Sequence, residues 1–185
     1  MKSLIVFVFS FLTFVQLQAQ DSDNNTVHKL SGPRVGFTLL TQGSAADFIN
    51  DRQEDDFGEY IGEQKPAFIS QYGYQWETRF ADSNEGIVGL VEWVILVGGL
   101  EKGLFLPSAT SMFGIRASNG AEFALGPNLS FSGISYVLAI GKNFRSGKLN
   151  FPVNISYVPG KKSSWGDGDP TGHRFSITVG FNISK

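Results

Sequence analysis

There is no cysteine among the 185 residues. Disulfides are therefore excluded, in a chain whose start carries the marks of export, and so is lipid attachment at an N-terminal cysteine. Histidine occurs only twice, at His28 and His173, which leaves little from which to build a histidine-based catalytic or metal centre. Charge is also scarce: 17% of residues are Asp, Glu, Lys or Arg, and the net charge is −2. No run of Lys or Arg marks a phosphate-binding stripe, so nucleic acid is not an expected partner. Beyond the first twenty residues, no apolar run reaches the roughly 20 residues of a transmembrane helix. If the mature chain enters a membrane, it must do so as a closed barrel, because only helices and closed barrels satisfy every backbone group in lipid.

What is present begins with an export signal. Lys2 supplies a short positive region, residues 4–15 form a nearly unbroken apolar run with four phenylalanines, and Gln18-Ala19-Gln20 offers a small residue for cleavage. The expected organisation is a signal peptide over residues 1–19, a flexible periplasmic lead-in over 20–33, and one barrel domain over 34–185.

The final segment carries the most explicit pattern. Phe175, Ile177, Val179, Phe181 and Ile183 alternate with Ser176, Thr178, Gly180, Asn182 and Ser184. A period of two is that of a strand with one apolar and one polar face. Similar writing predicts strands over 34–41, 66–80, 86–98, 104–117, 121–129, 133–143, 149–157 and 173–184. Eight is an even number, as single-chain bacterial outer-membrane barrels have. The fold class expected is all-β, an eight-stranded antiparallel up-and-down transmembrane β-barrel. The two longest connections, 42–65 and 159–172, follow strands one and seven and so share one end. The connections 81–85, 118–120 and 145–148 at the opposite end are all short. Long outer loops and short periplasmic turns are the asymmetry of outer-membrane barrels; the two middle outer loops here are short as well, so the match is partial but in the right direction.

A soluble calycin-like barrel binding an apolar ligand alternates too, but its outer face carries a dense set of charges. Here the polar face is mostly Gly, Ser, Thr, Asn, Gln and Ala, with few charges: Arg34, Glu77, Arg79, Glu92, Arg116, Glu122 and Arg174. Three acids against four arginines suit a paired network plugging a narrow lumen rather than a pore. The apolar face is expected to meet lipid through Phe68, Tyr72, Tyr74, Trp76, Ile134, Tyr136, Phe151, Tyr157, Phe175, Ile177, Val179 and Phe181.

The signal ending Gln-Ala-Gln, the Gly32-Pro33-Arg34-Val35-Gly36 entry to strand one and the amphipathic last strand resemble small eight-stranded outer-membrane barrels, the OmpA transmembrane domain and OmpX among them, and most of all the short Phe-rich versions in Bacteroidota. The resemblance covers residues 34–183, implies outer-membrane location, and assigns no activity. One departure concerns the C-terminus: such proteins often end on an aromatic residue, whereas this chain ends Phe181-Asn182-Ile183-Ser184-Lys185.

Some barrels of this size are lipid A deacylases or palmitoyltransferases, which need a serine nucleophile and a histidine base. His173 and Ser176 are three residues apart and fall on opposite strand faces, leaving only a partner from another strand, such as Ser156. His28 lies in the polar lead-in. Trp165-Gly166-Asp167-Gly168-Asp169 offers oxygens but lacks the glutamate that completes a calcium loop, so it reads as a solvated turn. Neither catalysis, cofactor nor metal is expected. The expected partners are outer-membrane lipid and, through loops 42–65 and 159–172, other envelope components. A structural or interaction role at the cell surface follows.

Overall fold

The computed structural model describes residues 30–51, 62–82, 86–162 and 170–183. The signal segment, the acidic part of the first loop over 52–61, and the Gly-Asp segment within 163–169 lie outside them. The strands are β1 (Gly32–Leu40), β2 (Ala67–Asp82), β3 (Ile87–Gly98), β4 (Leu106–Ala117), β5 (Ala121–Ser130), β6 (Gly133–Ser146), β7 (Leu149–Val158) and β8 (Arg174–Gly180), followed by the short β9 (Asn182–Ile183). Every strand from β1 to β8 pairs antiparallel with its neighbour in sequence. The pairing of β8 with β1, Val35 opposite Val179 and Leu39 opposite Phe175, closes the ring. The result is a closed eight-stranded antiparallel up-and-down barrel, as the alternation predicts. Closure removes the unpaired edges that an open sheet of this length would expose.

The short connections show why one end is tight. Gly147, at φ 60°, opens the two-residue turn between β6 and β7, a conformation that glycine adopts without a Cβ clash. Both Arg145 and Ser146, expected in that turn, belong to β6. Between β4 and β5, Gly120 takes φ 83° and its N–H donates to the Ala117 carbonyl at 2.8 Å. We call this the turn end, and the opposite one the helix end.

The helix end departs from expectation. Within the 42–65 segment, read from sequence as loop, Ser44–Ile49 forms a helix, α1. Six residues cannot sustain a helix alone; tertiary contacts hold this one. Ala45, Ala46 and Ile49 bury against Leu40, Ala67, Ile69 and Leu106, which covers the barrel mouth. Pro170 accepts from the Ser44 N–H at 2.9 Å, and Lys102 Nζ donates to Asn50 Oδ1 at 3.1 Å.

Two further differences concern strand ends. β1 opens at Gly32, inside the segment expected as lead-in, and Leu30 ahead of it is buried. A bulge in β2 between Arg79 and Ala81 places Arg79 opposite Leu90 and Ala81 opposite Gly89. At the other terminus Phe181 interrupts the last strand, and β9 pairs with the start of β7.

Candidate functional site

Two surfaces carry the features that bear on function: the outer belt and the lumen. On the outside, large apolar residues stand exposed on each strand from β1 to β8, among them Phe37 at 54%, Tyr136 at 72% and Ile177 at 52%. Of the residues expected to face lipid, Phe68, Tyr72, Tyr74, Trp76, Ile134, Tyr136, Phe151, Phe175, Ile177, Val179 and Phe181 are exposed. Tyr157 is only half-exposed, because its ring packs against those of Phe175 and His173. Phe37 and Phe68 stack at 5.2 Å, and Trp76 lies directly opposite Trp93. Aromatic rings recur near strand ends: Phe68 opens β2, Tyr136 lies early in β6, Tyr157 late in β7, Phe175 early in β8. A continuous apolar belt of this extent is many times the patch a soluble monomer tolerates.

Inside, parity and strand register together bring Arg34, Gln75, Glu77, Glu92, Arg116 and Glu122 to one region near the turn end. Glu77 and Glu92 are register partners across β2 and β3, and Arg116 and Glu122 across β4 and β5. The Arg116 guanidinium is the hub. Its Nη1 donates to Glu77 Oε1 at 2.8 Å, its Nε to Glu122 Oε2 at 2.6 Å, and its Nη2 reaches Glu92 Oε1 at 3.5 Å. Charge-assisted, forked bonds of this kind are the strong class. Gln75 Nε2 donates to Glu92 Oε1 at 2.9 Å and its Oε1 accepts from Arg34 Nε at 3.0 Å, joining Arg34 to the cluster through a neutral relay. Arg34 spends its remaining donors on backbone, to the Leu30 carbonyl at 2.7 Å and that of Pro33 at 3.0 Å. Arg34, Glu77, Glu92 and Arg116 are all nearly completely buried.

Two of the arginines expected in this network are elsewhere. Arg79 is exposed, since it sits beside the β2 bulge near the strand end. Arg174 lies toward the helix end: Gly180, its neighbour on β8, abuts Arg34, and Arg174 is six residues further along, about 20 Å in extended chain. At that separation, attraction to the acids is below about 1 kcal/mol at an effective dielectric near 20. Its Nη1 and Nη2 donate instead to Ser130 Oγ at 2.6 Å and Asn128 Oδ1 at 3.0 Å, both neutral.

Between the two arginine centres lies an apolar layer of Met112, Ala124, Val137, Ala139 and Val158, with Val94 against it. With α1 covering the helix end, the lumen is filled in layers. Charge alone did not announce Gln75 or Gly180 as parts of the site. Gly180 matters for space: a Cβ there would stand 2.2 Å from Arg34 Nη1 and 2.9 Å from the Pro33 carbonyl oxygen.

Glu77, Glu92 and Glu122 bring one oxygen each within 4.8 Å of one another, the spacing of a carboxylate metal site. The guanidinium of Arg116 donates into that group and supplies the positive charge a cation would bring. His173 acts as a latch at the helix end. Its Nδ1 accepts from the Gly160 N–H at 3.2 Å and bonds the Tyr157 hydroxyl at 2.8 Å, and its backbone N–H donates to Thr41 Oγ1 at 2.7 Å. Neither Ser176 nor Ser156 bonds it; Ser176 Oγ pairs with Thr38 Oγ1 at 2.6 Å. His28 is outside the described residues.

At the helix end the 3-10 turn Leu100–Lys102 carries Glu101, which clamps β2. It accepts from the Ser70 backbone N–H at 2.8 Å and from the Ser70 hydroxyl. Burial by itself would raise the Glu101 carboxyl, but these hydrogen bonds to its charged form outweigh it and hold the group below the usual range.

No protein-family model and no curated protein matches the chain. Among solved structures, Ail, the attachment invasion locus protein of Yersinia pestis, crystallised with the heparin analogue sucrose octasulfate, aligns over 85% of this chain and 99% of its own at 14% identity, with a TM-score of 0.25. A likeness this loose carries no argument about fold or function; the barrel rests on the pairing of its own strands.

Proposed function

We propose that the protein is an outer-membrane β-barrel of the small OmpA-transmembrane-domain and OmpX type, exported by the signal over residues 1–19, with a structural or interaction role rather than a catalytic one. The observation that carries this reading is the belt: Phe37, Tyr136, Ile177 and their neighbours are exposed on all eight strands, while Arg34, Glu77, Glu92 and Arg116 are buried inside. In water such a belt drives aggregation; in lipid it is the favourable surface. A soluble barrel carrying an apolar ligand calls for the reverse, a charged exterior and an apolar interior.

The layered lumen supports a scaffold and not a channel: the Arg116 network, the Met112–Val158 layer and the α1 cap each block it. Planar-bilayer recordings are expected to show no conductance of nanosiemens size. The turn end faces the periplasm in this reading. The helix end, with α1 and the loops 42–65 and 159–172, faces outward and meets lipid head groups or other envelope components.

The absence of native cysteine makes the test clean. Glu63→Cys at the helix end and Ser118→Cys at the turn end are both at exposed positions. In intact cells a membrane-impermeant maleimide should label Glu63→Cys and spare Ser118→Cys, with both labelled after lysis. Heat-modifiable gel migration should accompany it, reporting a closed barrel. Labelling of both sites in intact cells, or recovery of the protein from soluble periplasm without detergent, overturns the reading.

A further inference from the structure

The helix-end half of the lumen holds a cavity of about 60 Å³. One water needs roughly 10–15 Å³ measured this way, so several waters, or one small ion, fit. Its walls include Thr38, Gln71, Thr110, Asn128, Ser156 and Ser176, and Arg174 is the one charged residue among them. Leu40 and Leu106 from the cluster beneath α1 and Val137 and Val158 from the apolar layer are among its apolar lining.

The guanidinium of Arg174 has five N–H donors. Two are used, on Ser130 Oγ and Asn128 Oδ1; the other three meet no protein acceptor among the described residues. No Asp or Glu among those residues lines the cavity, and the acids of the Arg116 network are about 20 Å away along β8. The barrel thus segregates its interior charge. Near the turn end, three carboxylates surround the guanidiniums of Arg34 and Arg116. At the helix end, a single cation faces polar space with unused donors, beside the Thr110 and Ser156 hydroxyls, which donate to no described residue. A half-buried guanidinium without an anion is unusual, because such charges are normally paired.

We propose that this cavity binds a small tetrahedral oxyanion, sulfate or phosphate, on Arg174. Such an ion has only acceptors, matches the flat fork of a guanidinium with two oxygens, and leaves others for hydroxyl donors such as Ser156. Chloride can sit between two N–H groups of the fork but has no further oxygens for the hydroxyls, so it is held more weakly. The proposal needs the closed lumen alone and stands apart from the membrane reading.

The test uses the full mature chain folded in detergent micelles, with sodium sulfate and sodium phosphate titrated at constant ionic strength against sodium chloride. The NMR signals of the Arg174 Nε–Hε group and the Asn128 and Ser130 amides report occupancy. Sulfate or phosphate should give a saturable shift with Kd of about 1 mM or below, and chloride a much weaker response. Arg174→Gln, checked for heat-modifiable migration, should weaken binding at least about tenfold, the loss of one charge-assisted contact. Ser156→Ala makes no described hydrogen bond to lose, so it serves where Arg174→Gln fails to fold, with a several-fold weakening expected. The proposal is overturned by absence of a saturable shift, by an equal response to chloride, or by unchanged affinity in these variants. It is also overturned if sulfate binds only after Asp167→Asn and Asp169→Asn, which would mean that the chain's own acids fill the site.

Discussion

Removing the hub of the interior network is the sharpest perturbation available. In Arg116→Met the side chain keeps its approximate length and loses its charge. The bonds to Glu77 at 2.8 Å and Glu122 at 2.6 Å vanish, and three carboxylates remain with oxygens within 4.8 Å of one another. Two unit charges at that distance repel by about 3.5 kcal/mol at an effective dielectric near 20. Relaxation and water entry relieve part of this, and breaking one side of a buried ion pair costs about 3–5 kcal/mol in practice. With a urea slope of about 2 kcal/mol per M, the unfolding midpoint should fall by roughly 2 M, read by tryptophan fluorescence or by loss of the fast-migrating band. The same substitution combined with Glu77→Gln, Glu92→Gln and Glu122→Gln should recover most of that loss, since no uncompensated charge remains. A midpoint shift of only a few tenths molar, or a combined variant no better than Arg116→Met alone, refutes the network as the turn end's main brace.

Three other perturbations probe different parts of the molecule. Ile177→Arg, on the outer face opposite Phe37 and Ile155, should destabilise the barrel in vesicles by about 2–4 kcal/mol, the scale for a cation on a lipid face, whereas a water-facing position would tolerate it. Gly180→Ala should push the Arg34 guanidinium off its carbonyl partners at a cost of about 1–3 kcal/mol, and urea unfolding should show a smaller penalty in an Arg34→Met background. Glu101 sits lower than an ordinary carboxyl when folded, so its contribution is present above the unfolded value and lost as pH falls through the folded one. Wild type should exceed Glu101→Gln by less than about 1 kcal/mol at neutral pH, exposure having screened the clamp, and their urea midpoints should converge in acid.

Alternation made the barrel legible because a period of two survives any strand stagger. Val35, Phe37 and Leu39 declare their face whatever lies beside them. Position along the barrel is a different matter. Parity put Arg34, Glu77, Glu92, Arg116, Glu122 and Arg174 on one face, but grouping them needs register, which pairing sets and spacing does not. Parity alone thus groups Arg174 with acids about 20 Å away, and it puts Arg79 in the lumen although, opposite Leu90 near the end of β2, that side chain is exposed. Gln75 and Gly180 were illegible for another reason: a neutral relay and a missing Cβ carry no charge signal. Helix α1 leaves no mark in the sequence because six residues with no side-chain cap have little intrinsic helicity; burial of Ala45, Ala46 and Ile49 over the barrel mouth makes it, and that contact is tertiary.

Contact of the exposed belt with lipid can be read optically. Trp76 and Trp93 pair across β2 and β3, both on the outer face and both exposed. In a Trp165→Phe variant they are the only fluorophores of their kind. Reconstituted into vesicles of brominated phosphatidylcholine, they should be strongly quenched by the bromine-bearing chains and weakly by aqueous acrylamide. Full emission in brominated lipid together with efficient acrylamide quenching would place the belt in water and contradict the account.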